Sequence, residues 1–197
     1  MAPLNDKQLE QIKIERKIQI MTAALRVFSD NGIKLTKISM IAKEAGISHG
    51  LLYHYFRSKD EVLHTSLEWA MSGTDELFQS LDNQFSPLEK IKQFTLIAFS
   101  VRNSDVFRIV QHITRTDYPV PESTKTLIHK TGQRYIEFLY PLIIAGQQAG
   151  EIIEEEPHEL LDLFLTVISG LMTEDLTSWE NQLEKKVDLL LRMITKR

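Results

Sequence analysis

Residues 36–56 read Thr36-Lys37-Ile38-Ser39-Met40-Ile41-Ala42-Lys43-Glu44-Ala45-Gly46-Ile47-Ser48-His49-Gly50-Leu51-Leu52-Tyr53-His54-Tyr55-Phe56. Ile38, Ile41, Ala42 and Ala45 stand at i, i+3, i+4 and i+7, the apolar stripe of a short helix that Thr36 is placed to cap and Gly46 to end. Ser48 caps a second short helix running to Phe56. Two short helices about a tight glycine-containing turn form a helix-turn-helix, whose second helix enters the major groove of DNA. A third helix must complete the core, so the apolar positions turn inward and Ser48, His49, Tyr53 and His54 are left on the outer side. Gly50, with no side chain, lets the backbone approach a base pair closely.

Outward from this stretch the chain reads as helix throughout. Ile18, Met21, Leu25 and Phe28 share one face of a first helix over residues 8–31, with Gly32 as its stop. Ser58 and Glu61 make a capping box that opens a long fourth helix through Leu77, Phe78 and Leu81, with Gly73 in its middle. Ser86, Pro87 and Glu89 open a fifth helix to about Arg102, and Asn103 to Arg115 form a sixth. The Tyr118-Pro119-Val120-Pro121 break precedes a seventh, Glu122 to Ala149, which Pro141 should kink. Pro157 starts an eighth to about Ser178, and residues 180–196 form a ninth. The expected fold class is all-α: a three-helix DNA-binding domain over residues 1–58 and a helical bundle for ligand binding and dimerisation over 59–197, about nine helices in all.

The net charge of −4 is unevenly distributed. Residues 1–59 hold ten Lys and Arg against five acids, a net +5, which leaves −9 for the remainder. A cationic front on an acidic body suits a module that meets a polyanion at one end; chance segregation on solvated faces is the plainer alternative. There is no cysteine, hence no disulfide or thiolate metal site. No apolar run reaches membrane-spanning length and the first twenty residues lack a signal-peptide pattern, so a cytoplasmic protein without a membrane partner is expected. No paired-carboxylate, HExxH or clustered Cys/His spacing appears, so no catalytic residue, metal or cofactor is expected.

The run from Leu35 through Val62-Leu63 resembles the signature of the tetracycline-repressor (TetR) family, and the likeness covers roughly residues 12–65. It implies a transcriptional regulator, most simply a repressor released from a palindromic operator by a small-molecule effector. Matched residue by residue, it implies phosphate contacts from Thr36, Lys37, Tyr53 and Lys59, joined by Tyr55, and groove contacts from Ser48, His49, Gly50 and His54. Leu51 departs from the small or hydroxylated residue common there, which leaves sequence preference open. Physical chemistry supports Thr36 and Lys59 independently, since both stand at expected helix N-termini, where free N–H groups and the macrodipole favour a phosphate.

One recognition helix reads few base pairs, so a homodimer is expected. Leu161, Phe164, Leu165 and Ile168 of the eighth helix, with Leu183, Val187, Leu190 and Ile194 of the ninth, are the candidate interface. Their periodicity fits packing within one subunit equally well, and the family resemblance favours the dimer. Phe94, Phe99, Arg102, Phe107, His112, Arg115 and Tyr135 are candidates for an apolar effector pocket with polar anchors, though such residues also make ordinary cores. Two other classes compete. A helical enzyme is the first, and the second, a protein-binding adaptor with a degenerate helix-turn-helix, would not need Lys37, Tyr53 and Lys59.

Overall fold

Asn5 opens the first helix: its side chain accepts from the Gln8 N–H at 2.8 Å while its own N–H donates to the Gln8 side chain at 2.9 Å. In the computed structural model, residues 5–73, 78–79, 81, 84–99, 101–116, 118–173, 179 and 181–196 are described, with the side chains of 101–103 excepted. Among them are nine helices: α1 (Asp6–Leu35), α2 (Ile38–Glu44), α3 (His49–Tyr55), α4 (Lys59–Met71), α5 (Pro87–Ala98), α6 (Val101–Thr116), α7 (Glu122–Gln148), α8 (Pro157–Leu171) and α9 (Leu183–Leu191). The all-α expectation holds.

Several boundaries differ from those expected. α1 passes Gly32, whose φ of 72° and ψ of 155° break the regular helix before a last turn closes over residues 33–35. α4 ends at Met71, with the Ser72 hydroxyl turned back to the Trp69 carbonyl at 2.8 Å, so Ser72 and Gly73 stop a helix expected to run to Leu81. Leu77 lies outside the described residues, as does Ser178 beyond the observed end of α8. α5 stops at Ala98, not Arg102. α7 continues through Pro141, where Glu137 and Pro141 both lie on the exposed side, so the carbonyl freed by the missing N–H faces water. α9 ends at Leu191, and Thr195 pairs with Ile152 in an isolated antiparallel bridge.

Packing divides into two cores. The first gathers Ile20, Ala24, Phe28, Ile41, Leu52, Phe56, Leu63 and Leu67 from α1–α4 with Ile109 and Ile113 of α6. It therefore crosses position 58, and α1 packs on α6 as well as on α2 and α4. The second gathers Ile91, Phe94, Leu139, Ile143, Leu161, Phe164, Ile168, Val187 and Leu191 from α5, α7, α8 and α9. Lys92 of α5 clasps α9 through Asp188 at 2.7 Å and Glu184 at 3.3 Å; those carboxylates, the hydrogen bond to Asp188 first, hold its ammonium above the usual lysine range.

Candidate nucleic-acid interface

α3 is a short helix with a divided surface. The Ser48 Oγ accepts from the Leu51 N–H at 3.1 Å, Leu52 and Phe56 are buried, Leu51 is half-buried, and Tyr55 is half-buried against the first core. His49, Gly50, Tyr53 and His54 face outward, with Tyr53 48% exposed. The His49 ring meets Tyr53 edge-on, centroids 5.0 Å apart and planes at 79°, an arrangement that steadies the phenol on the surface. A Cβ built at Gly50 would touch nothing within 4 Å, so the chain's own packing makes no demand for glycine there. The space it leaves lies on the outer face.

The turn before α3 is rigidly made. Gly46 takes φ 65°, which favours glycine, and the Ile47 N–H donates to the Ala42 carbonyl at 2.9 Å while the Gly46 N–H donates to the Lys43 carbonyl at 3.1 Å. These two bonds form a Schellman closure that satisfies the end of α2. From α1, Gln19 Nε2 donates to the Ala45 carbonyl at 2.6 Å, and Arg26 pairs with Glu44 at 3.3 Å. Lys17 Nζ stands 5.7 Å from the centroid of the Phe56 ring at the far end of α3. Gln19 escaped the sequence reading. Its one signal is a long amide immediately before Ile20, where the buried face of α1 begins.

Two of the phosphate candidates sit differently from expectation. Thr36 is 2% exposed, and its hydroxyl donates into the end of α1, 2.8 Å from the Gly32 carbonyl and 3.3 Å from that of Val27. It closes α1 rather than capping α2, whose N-cap is the exposed Lys37 with no side-chain cap bond. Lys59 Nζ donates to the carbonyls of Ile33 at 2.7 Å and Thr36 at 3.1 Å, so its ammonium is half-buried and holds the α1–α2 link instead of standing free. The physical reason is common to both: the carbonyls released where α1 breaks at Gly32 need donors, and these two side chains supply them. Lys37, Ser48, His49, Gly50, Tyr53 and His54 remain on the outer surface of α2 and α3, with Tyr55 half-turned inward.

Residues 20–65, which span α1 to α4 across this head, match the family described as bacterial regulatory proteins, tetR family. Over this head the chain is similar to the TetR family. The similarity to the fatty acid metabolism regulator protein of Bacillus subtilis is 25% identity over 186 residues, 90% of each chain. The transcriptional repressor KstR2 of Mycolicibacterium smegmatis is 36% identical over 88 residues, 43% of this chain and 42% of that protein. The crystal structure of AibR, in complex with isovaleryl coenzyme A and operator DNA, superposes with a TM-score of 0.70 at 20% identity, covering 90% of this chain and 97% of that one. This shows that the fold is shared beyond the head.

In the body of the chain, the candidate effector residues lie in separate surroundings. Phe94 joins Phe78, Tyr135 and Phe138 in a cluster of rings, with Phe78 stacked on Phe138 at 4.0 Å. Phe99 instead contacts Trp179, Phe107 is half-buried in the second core, and His112 lies beside Tyr118. Arg115 is exposed, and the side chain of Arg102 lies outside the described residues. Two open clefts among the described residues are lined by none of the other six.

Of the candidate interface residues, Leu161, Phe164, Ile168, Val187 and Ile194 are buried inside the subunit, since α8 and α9 turn them onto α5 and α7. They present no area to a second copy. Leu165, Leu183 and Leu190 are half-buried, while Leu163, 54% exposed, and Leu189, 51% exposed, lie on the outside of the same two helices.

Proposed function

We propose that this chain is a DNA-binding transcriptional repressor that holds a palindromic operator as a homodimer and is released by a small molecule. The observation that carries this reading is the outer face of α3, where His49, Gly50, Tyr53 and His54 stand clear of a core that does not need them. Ser48 begins that face, Lys37 flanks it from α2, and the N-terminal excess of positive charge supplies the attraction for a polyanion. The division of labour is residues 1–58 for DNA and 59–197 for effector and partner, joined through the first core. The second copy docks on the outer faces of α8 and α9, around Leu163, Val167 and Leu189. The effector enters the ring cluster of Phe94 and Tyr135, beside the second core; ligand-responsive operator binding is consistent with the complex named for AibR. A cytoplasmic location follows from an operator as target; among the described residues no helix is long and apolar enough to cross a membrane.

Selection of bound duplexes from a random-sequence pool with the purified full chain at physiological salt tests the reading. Enrichment of an inverted repeat is the expected result. A folded protein that enriches nothing would return the weight to a protein-binding adaptor.

A further inference from the structure

Between the last turn of α6 and the first two turns of α7 lies an open cleft of about 280 Å³, lined by Ile113, Thr114, Tyr118, Lys125, Ile128 and His129. Its floor is apolar: Ile113 is buried, Ile128 is half-buried, and both pack into the first core. Its rim is polar and one-sided. Lys125 and His129 stand four residues apart on one face of α7, both exposed and, among the described residues, neither in an ion pair. Among the described residues the Tyr118 hydroxyl has no hydrogen-bond partner, whereas that of Thr114 is turned back to the Val110 and Gln111 carbonyls. Among the described residues, no carboxylate lines it. By contrast, the cleft of about 370 Å³ between α4 and α7 mixes Glu68 and Glu137 with Lys130 and Arg134, and so selects no sign of charge.

We propose that the α6–α7 cleft is a binding site for a small amphiphilic anion, a carboxylate or phosphate head on a short apolar body, separate from the ring cluster and able to act on the DNA-binding head. The anionic head meets Lys125, His129 and the Tyr118 hydroxyl as donors, and the apolar body covers Ile113 and Ile128. The route to the head is short. Thr124, next to Lys125 and fully buried, lies 3.1 Å from Nδ1 of His64 on α4, and α4 begins where Lys59 holds the end of α1. A ligand that ties α6 to the first turns of α7 thereby biases where α4 is held, provided it binds one head position more tightly than the other. That consequence rests on the DNA-binding reading, while the site itself does not.

The test is calorimetric titration of the full chain with hexanoate, with inorganic phosphate and with 1-hexanol, repeated on Lys125→Gln/His129→Gln, whose side chains are both exposed. Saturable hexanoate binding at one per chain is expected, with phosphate and hexanol each at least tenfold weaker, and with at least a tenfold loss in the double variant. Absence of saturable hexanoate binding overturns the site. So does affinity unchanged in the double variant, or binding lost only in Phe94→Leu, which would place the ligand in the ring cluster. For the link to the head, saturating hexanoate should change the affinity for a bound duplex by at least threefold, and the duplex should change hexanoate affinity by the same factor. Equal affinities with and without hexanoate, for a duplex the protein demonstrably binds, overturn the link alone.

Discussion

Replacing Lys59 with methionine separates two roles that a lysine at the start of α4 could fill. Its ammonium donates to the Ile33 and Thr36 carbonyls at 2.7 and 3.1 Å. Hydrogen bonds from a charged donor contribute about 1.5–3 kcal/mol each. Here the group is half-buried and water can replace it on both carbonyls, so each bond falls below that range, near the roughly 1 kcal/mol of an ordinary hydrogen bond, and the pair together is worth roughly 2 kcal/mol. For a chain of this size each kcal/mol moves the melting midpoint by about 2–4 °C, which puts the expected fall at roughly 4–8 °C. Methionine keeps most of the aliphatic stem, so the loss reports the ammonium rather than packing. The assay is thermal unfolding at fixed protein concentration, since the proposed dimerisation would make the midpoint concentration-dependent, alongside duplex affinity measured at several salt concentrations. Destabilisation with an unaltered slope of log affinity against log salt is expected. An unchanged melt with a slope smaller by about one would refute the tether and restore Lys59 as a phosphate contact.

Three other substitutions follow from the same geometry. Tyr53→Phe removes a neutral hydroxyl from the outer face of α3, so affinity for duplexes of any sequence should fall about fivefold, equivalent to about 1 kcal/mol, with no change in salt slope; a titration showing full affinity would remove Tyr53 from the contact set. Gly146→Ala places a methyl 2.5 Å from Cδ1 and 2.8 Å from Cγ1 of the buried Ile152, and urea unfolding should show a loss of about 1–3 kcal/mol. Leu163→Glu puts a charge on the exposed face of α8 and should shift sedimentation from dimer to monomer while leaving the helix content unchanged; a persistent dimer would move the interface elsewhere.

The reading head was legible because its information is local. Caps at Ser48 and Ser58, the positive-φ glycine of the turn and the apolar stripe of α2 each lie within a few residues of the groups they serve, so spacing alone places them. What escaped is set by distance along the chain. Lys59 meets Ile33 across 26 residues and Gln19 meets Ala45 across another 26, and no periodicity announces either contact. Thr36 stands where a cap for α2 was expected, and only the break at Gly32 shows that the end of α1 needs its hydroxyl more.

In the body the same contrast is sharper. The sequence by itself determined a helical chain with a cationic front, the helices of the reading head and the face of α3 turned outward, because helix periodicity, caps and the charge of a residue type are properties of short stretches. Tertiary structure alone decided which stripe of α8 faces inward, since a helix apolar around most of its circumference does not say which side is covered; packing chose Leu161, Phe164 and Ile168 and left Leu163 outside. It also decided that Ile109 and Ile113 of α6 complete the core of the head, and that Tyr118, Lys125 and His129 meet around one cleft. Burial and convergence are properties of the space between elements, and they exist only once the helices have packed.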